Sequence, residues 1–244
     1  MKHRVNVTVA LVLSGLVSTA ANLFAASLTV SPPLVMNDYV GQVSLAISGL
    51  TPGKTVLVER FIDANDNGVV DAGDDVLIFS FKVTDGQVPL IGGVRNPNVP
   101  GDDDEATDGS IRVDLPFPNV DEVFSSAAVK FIFRVSDPQN VFLPVTATFD
   151  VQQHVQPQGV SGRITAAASG APLSRAFVVL LPPNGNTTLA AVLADADGNY
   201  LFNAAPGPYT VFVIKNGFVL DQTAGAVTVI ANQFATRHQL AAPT

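Results

Sequence analysis

Residues 76–84 read Val-Leu-Ile-Phe-Ser-Phe-Lys-Val-Thr, a pattern that indicates the fold class. Its alternate large apolar side chains share one face of an extended chain, and they are Leu77, Phe79, Phe81 and Val83. Ser80 and Lys82 fall on the opposite face. Such an alternation, with aromatic and branched residues on one side, is typical of a half-buried antiparallel β-strand.

Similar short runs recur on both sides of this stretch and are separated by Gly, Pro, Asn and Asp. The predicted strands are 27–30, 43–48, 55–62, 76–84, 110–115, 128–136 and 145–151. No long stretch has helical apolar spacing. Seven such runs within residues 27–151 predict an immunoglobulin-like β-sandwich.

The pattern restarts after a polar, proline-containing segment, residues 152–158, which we interpret as a linker. Beyond it the predicted strands are 160–165, 176–181, 190–194, 200–203, 209–215, 227–230 and 235–240. A second, smaller sandwich over residues 159–244 follows. We therefore expect an all-β chain with two antiparallel β-sandwich domains.

The N-terminal segment, residues 1–26, is typical of a secretory signal peptide, since a positive head precedes an apolar stretch and small residues. Cleavage is expected after Ala25 or Ala26, with Ala20 or Ala21 as alternatives. The other interpretation is a retained membrane anchor, although polar residues interrupt the apolar run. We expect a secreted, extracellular or periplasmic protein whose mature chain has no membrane span.

Composition excludes several classes of function. The net charge of −8 argues against nucleic-acid binding, because phosphate backbones repel an acidic protein. The absence of cysteine excludes disulfides, thiolate metal sites and thiol nucleophiles. No Gly-x-Ser-x-Gly motif, phosphate loop or dinucleotide fingerprint is present. We predict that the chain is not an enzyme.

Residues 63–74 read Asp-Ala-Asn-Asp-Asn-Gly-Val-Val-Asp-Ala-Gly-Asp and form the sharpest chemical signal. Oxygen-bearing side chains at loop positions 1, 3, 5, 9 and 12, with glycine at 6, match the spacing of an EF-hand calcium loop. The candidate ligands are Asp63, Asn65, Asn67, Asp71, Asp74 and the carbonyl oxygen of Val69. Gly68 permits the sharp turn that lets the chain surround a cation. The predicted cofactor is a structural calcium ion.

This loop resembles those of dockerin modules and of other calcium loops in secreted bacterial proteins. Position 12 is Asp74 rather than Glu, as in dockerins, but the flanking residues are strand-like, so we expect a strand–loop–strand setting. The alternative is an acidic turn between strands that binds no ion. Residues 101–109 form a second acidic loop, interpreted as a solvated run of charge. The alternatives are a second, looser cation site or extra ligands for the first site.

Five segments of the second half carry a resemblance to a known family. They are Val160-Ser161-Gly162-Arg163-Ile164, residues 170–178, residues 195–202 with Asp-Ala-Asp-Gly-Asn-Tyr, residues 206–211, and Asn216-Gly217-Phe218. This half resembles a carboxypeptidase regulatory-like domain, which implies a transthyretin-like sandwich and an accessory module without catalysis. Independently of the resemblance, Asp197-Gly198 predicts a tight turn between two strands, and Gly217 predicts a positive φ.

These observations predict a non-catalytic secreted or cell-surface structural or interaction module with a structural calcium site. The alternative is an accessory protein that binds carbohydrate or peptide, although no Trp is present to form a sugar platform. The partner is thus an unidentified protein or polysaccharide. Sandwiches of this kind bind through end loops or exposed edge strands.

Overall fold

The computed structural model describes residues 25–96, 98–118, 127–183, 188–220 and 225–243. Within these ranges no helix occurs, and therefore none that could cross a membrane. The expected all-β class is confirmed. The signal-peptide prediction for residues 1–26 falls almost entirely outside the described residues.

The first half forms two facing sheets. Their strands are β1 Ser27–Ser31, β2 Leu34–Met36, β3 Gly41–Ser48, β4 Thr55–Ile62, β5 Val76–Thr84, β8 Ile111–Phe117, β9 Lys130–Ser136 and β10 Val145–Gln152. One sheet has the order β1-β3-β8 and the other β2-β10-β9-β4-β5. A separate hairpin pairs β6 Leu90–Ile91 with β7 Val94–Arg95. The inward-facing residues of both sheets, including Leu45, Val58 and Phe131, form one apolar core.

The second half also forms two sheets. Their strands are β11 Gly159–Ala166, β12 Phe177–Leu181, β13 Ala190–Leu193, β14 Asn199–Asn203, β15 Gly207–Ile214, β16 Phe218–Leu220, β17 Ala226–Val229, β18 Phe234–Thr236 and β19 Gln239–Pro243. The orders are β14-β11-β19-β16, with β18 also beside β11, and β13-β12-β15-β17. Most pairs are antiparallel, but β2–β10, β11–β18 and β11–β19 are parallel. The single strand predicted at 235–240 is two strands, β18 and β19.

The β12–β13 pair is buried on both faces, which explains its unbroken apolar sequence. Val178 and Leu180 face the core of the second half. Phe177, Val179 and Ala191 instead join the core of the first half. The backbone N–H of Ala128 donates to the carbonyl of Ala191 at 2.8 Å. The two halves therefore share an apolar contact in addition to the connecting residues 153–158.

Strand register fixes which connections share an end of the first sandwich. Thr55 pairs with Thr84, and Leu57 pairs with Ser136, so connections 49–54, 85–110 and 137–144 lie at one end, here called the distal end. Ile62 pairs with both Val76 and Phe131, so connection 63–75 lies at the opposite end, here called the junction end. The predicted calcium loop is thus on the side that meets the second half.

Candidate functional site

The 63–75 connection is a compact loop held by its own polar groups. Asp63 is 2% exposed, and its two carboxylate oxygens accept hydrogen bonds from the N–H of Asn67 at 3.2 Å and of Gly68 at 2.7 Å. Asp66 and Gly68 have φ values of 59° and 75°. Gly68 therefore supplies the left-handed conformation that the sequence predicted for the turn.

Asp71 is held by two side-chain amides of the same loop. Its Oδ2 accepts hydrogen bonds from the Nδ2 of Asn65 at 2.8 Å and of Asn67 at 2.7 Å. These bonds, that from Asn65 first, lower the pKa of Asp71 below its ordinary value. Four of the candidate ligands, Asp63, Asn65, Asn67 and Asp71, therefore meet in one network.

The last two acids of the loop, Asp74 and Asp75, make different contacts. Asp75 accepts hydrogen bonds from the N–H of Ala64 at 3.0 Å and of Asp71 at 2.7 Å, so its carboxylate closes the loop. Asp74 is half-exposed and forms an ion pair with Arg175 of the second half at 2.9 Å. The loop spacing predicted Asp74 as a ligand and gave no role to Asp75, because spacing alone does not show the path of the backbone.

Val69 was a candidate through its carbonyl oxygen. Its side chain is exposed, and its N–H donates to Asn67 Oδ1 at 2.8 Å. Within the described residues, no group of three or more His, Cys, Asp or Glu side chains is arranged to hold a metal ion. A cation in this loop would accordingly depend on amide and backbone oxygens as well as on the carboxylates.

A cleft of about 740 Å³ separates the loop from the second half. Its charged lining residues are Asp63, Asp66, Lys130, Asp150, Arg175 and Asp195. Lys130 forms an ion pair with Asp66, whose hydrogen bond raises the pKa of the lysine. Lys215, which donates to the carbonyl of Ser174 at 2.9 Å, has a pKa lowered by burial and by Arg175. No local sequence pattern indicates this cleft, because it requires two halves of the chain to meet.

The acidic segment 101–109 is only partly a solvated run. Residues 104–108 are exposed, as expected, but Asp102 is fully buried. Its carboxylate accepts hydrogen bonds from the N–H of Gly86 at 2.7 Å and of Arg112 at 3.0 Å, and burial raises its pKa. Asp103 pairs with Arg95 at 2.6 Å. The interpretation as solvated charge is therefore wrong for Asp102, because its buried carboxylate accepts hydrogen bonds from backbone N–H groups.

The remaining predictions concern individual residues outside these two loops. Tyr200 is buried, and its hydroxyl donates to the carbonyl of Arg237 at 2.6 Å. Gly217 has a positive φ of 78°, as predicted, and Gly198 has a φ of 77° in the predicted tight turn between β13 and β14. His154, in the predicted linker, is exposed and lies 2.9 Å from Asp38.

Residues 159–241 match the model of the family described as carboxypeptidase regulatory-like domain. The predicted resemblance of the second half is thereby confirmed over that range. The dockerin-like character of the first half stays a prediction. No curated protein is similar enough to the chain to count as a match.

Solved structures similar to the chain include bacterial pilins. The major pilin subunit BcpA of Bacillus cereus is 12% identical, with 90% of this chain and 70% of that chain covered and a TM-score of 0.28. The T6 backbone pilin of Streptococcus pyogenes is 11% identical, with 84% and 51% covered and a TM-score of 0.25. Shaft pilin SpaA from Lactobacillus rhamnosus GG is 9% identical, with 90% and 98% covered and a TM-score of 0.27. TM-scores this low do not establish a common fold for the whole chain.

Proposed function

We propose that the chain is a non-catalytic, secreted or cell-surface structural and interaction module whose 63–75 loop holds a structural calcium ion. The observation that carries this proposal is the convergence of Asp63, Asn65, Asn67 and Asp71 within one turn. In that turn the Asn65 and Asn67 amides donate N–H groups to Asp71. A bound calcium ion would require both amides to rotate and present oxygen instead.

Support for a non-catalytic role comes from the charged groups around the cleft. Asp63 binds loop backbone, Lys130 is paired with Asp66, and Arg175 is paired with Asp74. Each of these groups thus has a structural partner. Turnover of any substrate in a panel of esters, peptides and glycosides would overturn this part of the proposal, and a glycan array tests the carbohydrate-binding alternative.

Calcium titration of the full mature chain tests the metal site. With free calcium at ~100 times its dissociation constant, the free energy of unfolding should rise by about 2.7 kcal/mol. Asp71→Ala should abolish the calorimetric heat, because it removes a ligand without removing the backbone contacts of Asp63. Asp104→Ala is the control, since Asp104 is an exposed acid at the opposite end. No heat and no calcium-dependent rise in Tm would overturn the calcium proposal.

A pair of variants separates the two acids that end the loop. Asp75→Ala should weaken calcium binding strongly, since Asp75 closes the loop onto Ala64 and Asp71. Asp74→Ala should weaken it less, because Asp74 pairs with Arg175. The reverse order would show that the loop rearranges to the EF-hand spacing on binding.

A further inference from the structure

The distal end of the first sandwich exposes large aliphatic side chains on two separate connections. Leu90, Ile91 and Val94 lie on the β6–β7 hairpin and are each more than 60% exposed. Val141 and Leu143 lie on the β9–β10 connection, and Leu143 is 86% exposed. Soluble proteins rarely group exposed apolar residues unless the surface has a partner.

Register places both connections at the same end of the molecule, away from the second half. The hairpin belongs to connection 85–110, which follows Thr84, and connection 137–144 follows Ser136. Polar contacts tie connection 49–54 to each of the other two. Asp85 Oδ2 accepts a hydrogen bond from the N–H of Gly53 at 2.6 Å, and Lys54 forms an ion pair with Asp137 at 2.9 Å.

Several hydrogen bonds anchor the base of the hairpin. Arg95 donates to Asp103 Oδ1 at 2.6 Å and to the carbonyl of Val99 at 2.7 Å. The N–H of Asp102 donates to the carbonyl of Gln87 at 2.9 Å, just before the hairpin. A surface fixed in this way loses little conformational entropy on binding, which favours association.

The charge of the distal end indicates what kind of partner can bind there. Asp104, Glu105 and Asp108 are exposed acids. Three nearby cations are paired, Lys54 with Asp137, Arg95 with Asp103 and Arg112 with Asp114. One further cation, Lys82 near the end of β5, is exposed and is outnumbered by these exposed acids. The free charge is therefore negative, which disfavours an anionic membrane and the same end of a second copy.

We propose that the distal end is a docking surface for a protein segment that combines apolar side chains with lysine or arginine. The apolar residues of that segment would contact the exposed aliphatic side chains, and its cations would face the exposed acids. This interaction surface goes beyond the proposed calcium module and does not depend on calcium, because the 63–75 loop lies at the other end.

Selection from a random displayed-peptide library on the full mature chain tests this inference. Enriched peptides should join apolar residues to lysine or arginine, and their affinity should fall as salt rises. Leu90→Ser with Leu143→Ser should weaken an enriched peptide by roughly 10-fold or more. Asp104→Asn with Glu105→Gln should also weaken it and should reduce its salt dependence. The control is Val40→Ser with Val155→Ser, which changes two exposed valines outside the distal end and should leave affinity unchanged.

Several outcomes would overturn the inference. These are the absence of any enriched peptide, enrichment of acidic peptides, and an equal loss of affinity in the control variant. Binding to phosphatidylcholine vesicles that is lost in the Leu90 and Leu143 variant would reassign the surface to membrane. A dimer in sedimentation that the same variant abolishes would reassign it to a second copy of this chain.

Discussion

Asp102 shows how one residue supports the distal end. Its buried carboxylate accepts hydrogen bonds from the backbone N–H groups of Gly86 and Arg112. Asp102→Ala should lower the free energy of unfolding by roughly 2–4 kcal/mol, because these donors lose their acceptor. Urea denaturation measures this change. Asp104→Ala, at an exposed acid, should change it by less than about 0.5 kcal/mol. Equal effects of the two variants would contradict a structural role for Asp102.

Asp137 makes the stability of the first sandwich depend on pH. Burial alone would raise its pKa, but hydrogen bonds from Lys54 and from the N–H groups of Gln139 and Val141 outweigh burial and lower it. An acid whose folded pKa is lowered contributes stability above its ordinary value of 3.8, and this stability is lost as the pH falls further. Asp137→Asn should therefore flatten the acid side of a plot of unfolding free energy against pH. Lys54→Met should flatten it in part, and an unchanged plot in both variants would refute this linkage.

At the scale of the element, two glycines with similar φ occupy different surroundings. A Cβ at Gly68 would lie 3.7 Å from Thr148 Cγ2, whereas a Cβ at Gly198 would lie 2.5 Å from the carbonyl oxygen of Ile164. Gly68→Ala should cost about 1–2 kcal/mol through backbone strain alone. Gly198→Ala should cost at least about 1 kcal/mol more, because the new methyl group overlaps backbone. Thermal unfolding compares the two, and equal losses would show that the β13–β14 turn can shift.

Strands β4 and β5 show how far the sequence predicts an element. Their bounds, Thr55–Ile62 and Val76–Thr84, agree with the predicted strands. The face of Leu77 was predicted wrongly, because a register shift between Arg60 and Phe61 adds a residue on β5. Beyond this shift Ile78 packs against the core, and Leu77 is 49% exposed. A period-two pattern cannot reveal such a bulge.

The sequence also predicted only part of the candidate site. Local spacing identified Asp63, Asn65, Asn67 and Asp71, because their contacts lie within one turn. It could not identify the partner of Asp74, since Arg175 is distant in sequence. It also could not foresee that Arg60 faces the core, with its guanidinium 4.0 Å from the Phe131 ring. The cation–π contact offsets part of the free-energy cost of burying this charge. The aromatic partners are brought together only by the fold.

At the scale of the whole molecule, the two halves are joined by packing as well as by covalent connection. Phe177, Val179 and Ala191 belong to the core of the first half although they come from strands of the second. Residues 152–158 were interpreted as a linker, and within this segment Gln153 donates a hydrogen bond to the carbonyl of Leu201 and accepts one from the N–H of Asn203. Shared apolar burial couples unfolding of the halves, because separating them exposes a face of β12 and β13 to water.

This coupling predicts one calorimetric transition for the full chain. Ala191 is 1% exposed at the contact, so Ala191→Glu places a charge in an apolar layer and should cost about 3 kcal/mol or more. Because the charge lies between the halves, the variant should also split the unfolding into two transitions. Val219→Glu is the matched control, since Val219 is a half-exposed residue of β16. Two transitions in the unmodified protein would mean that the contact contributes little free energy. A single transition in Ala191→Glu, lowered in Tm, would mean that the halves remain coupled through other contacts such as Asp74 with Arg175.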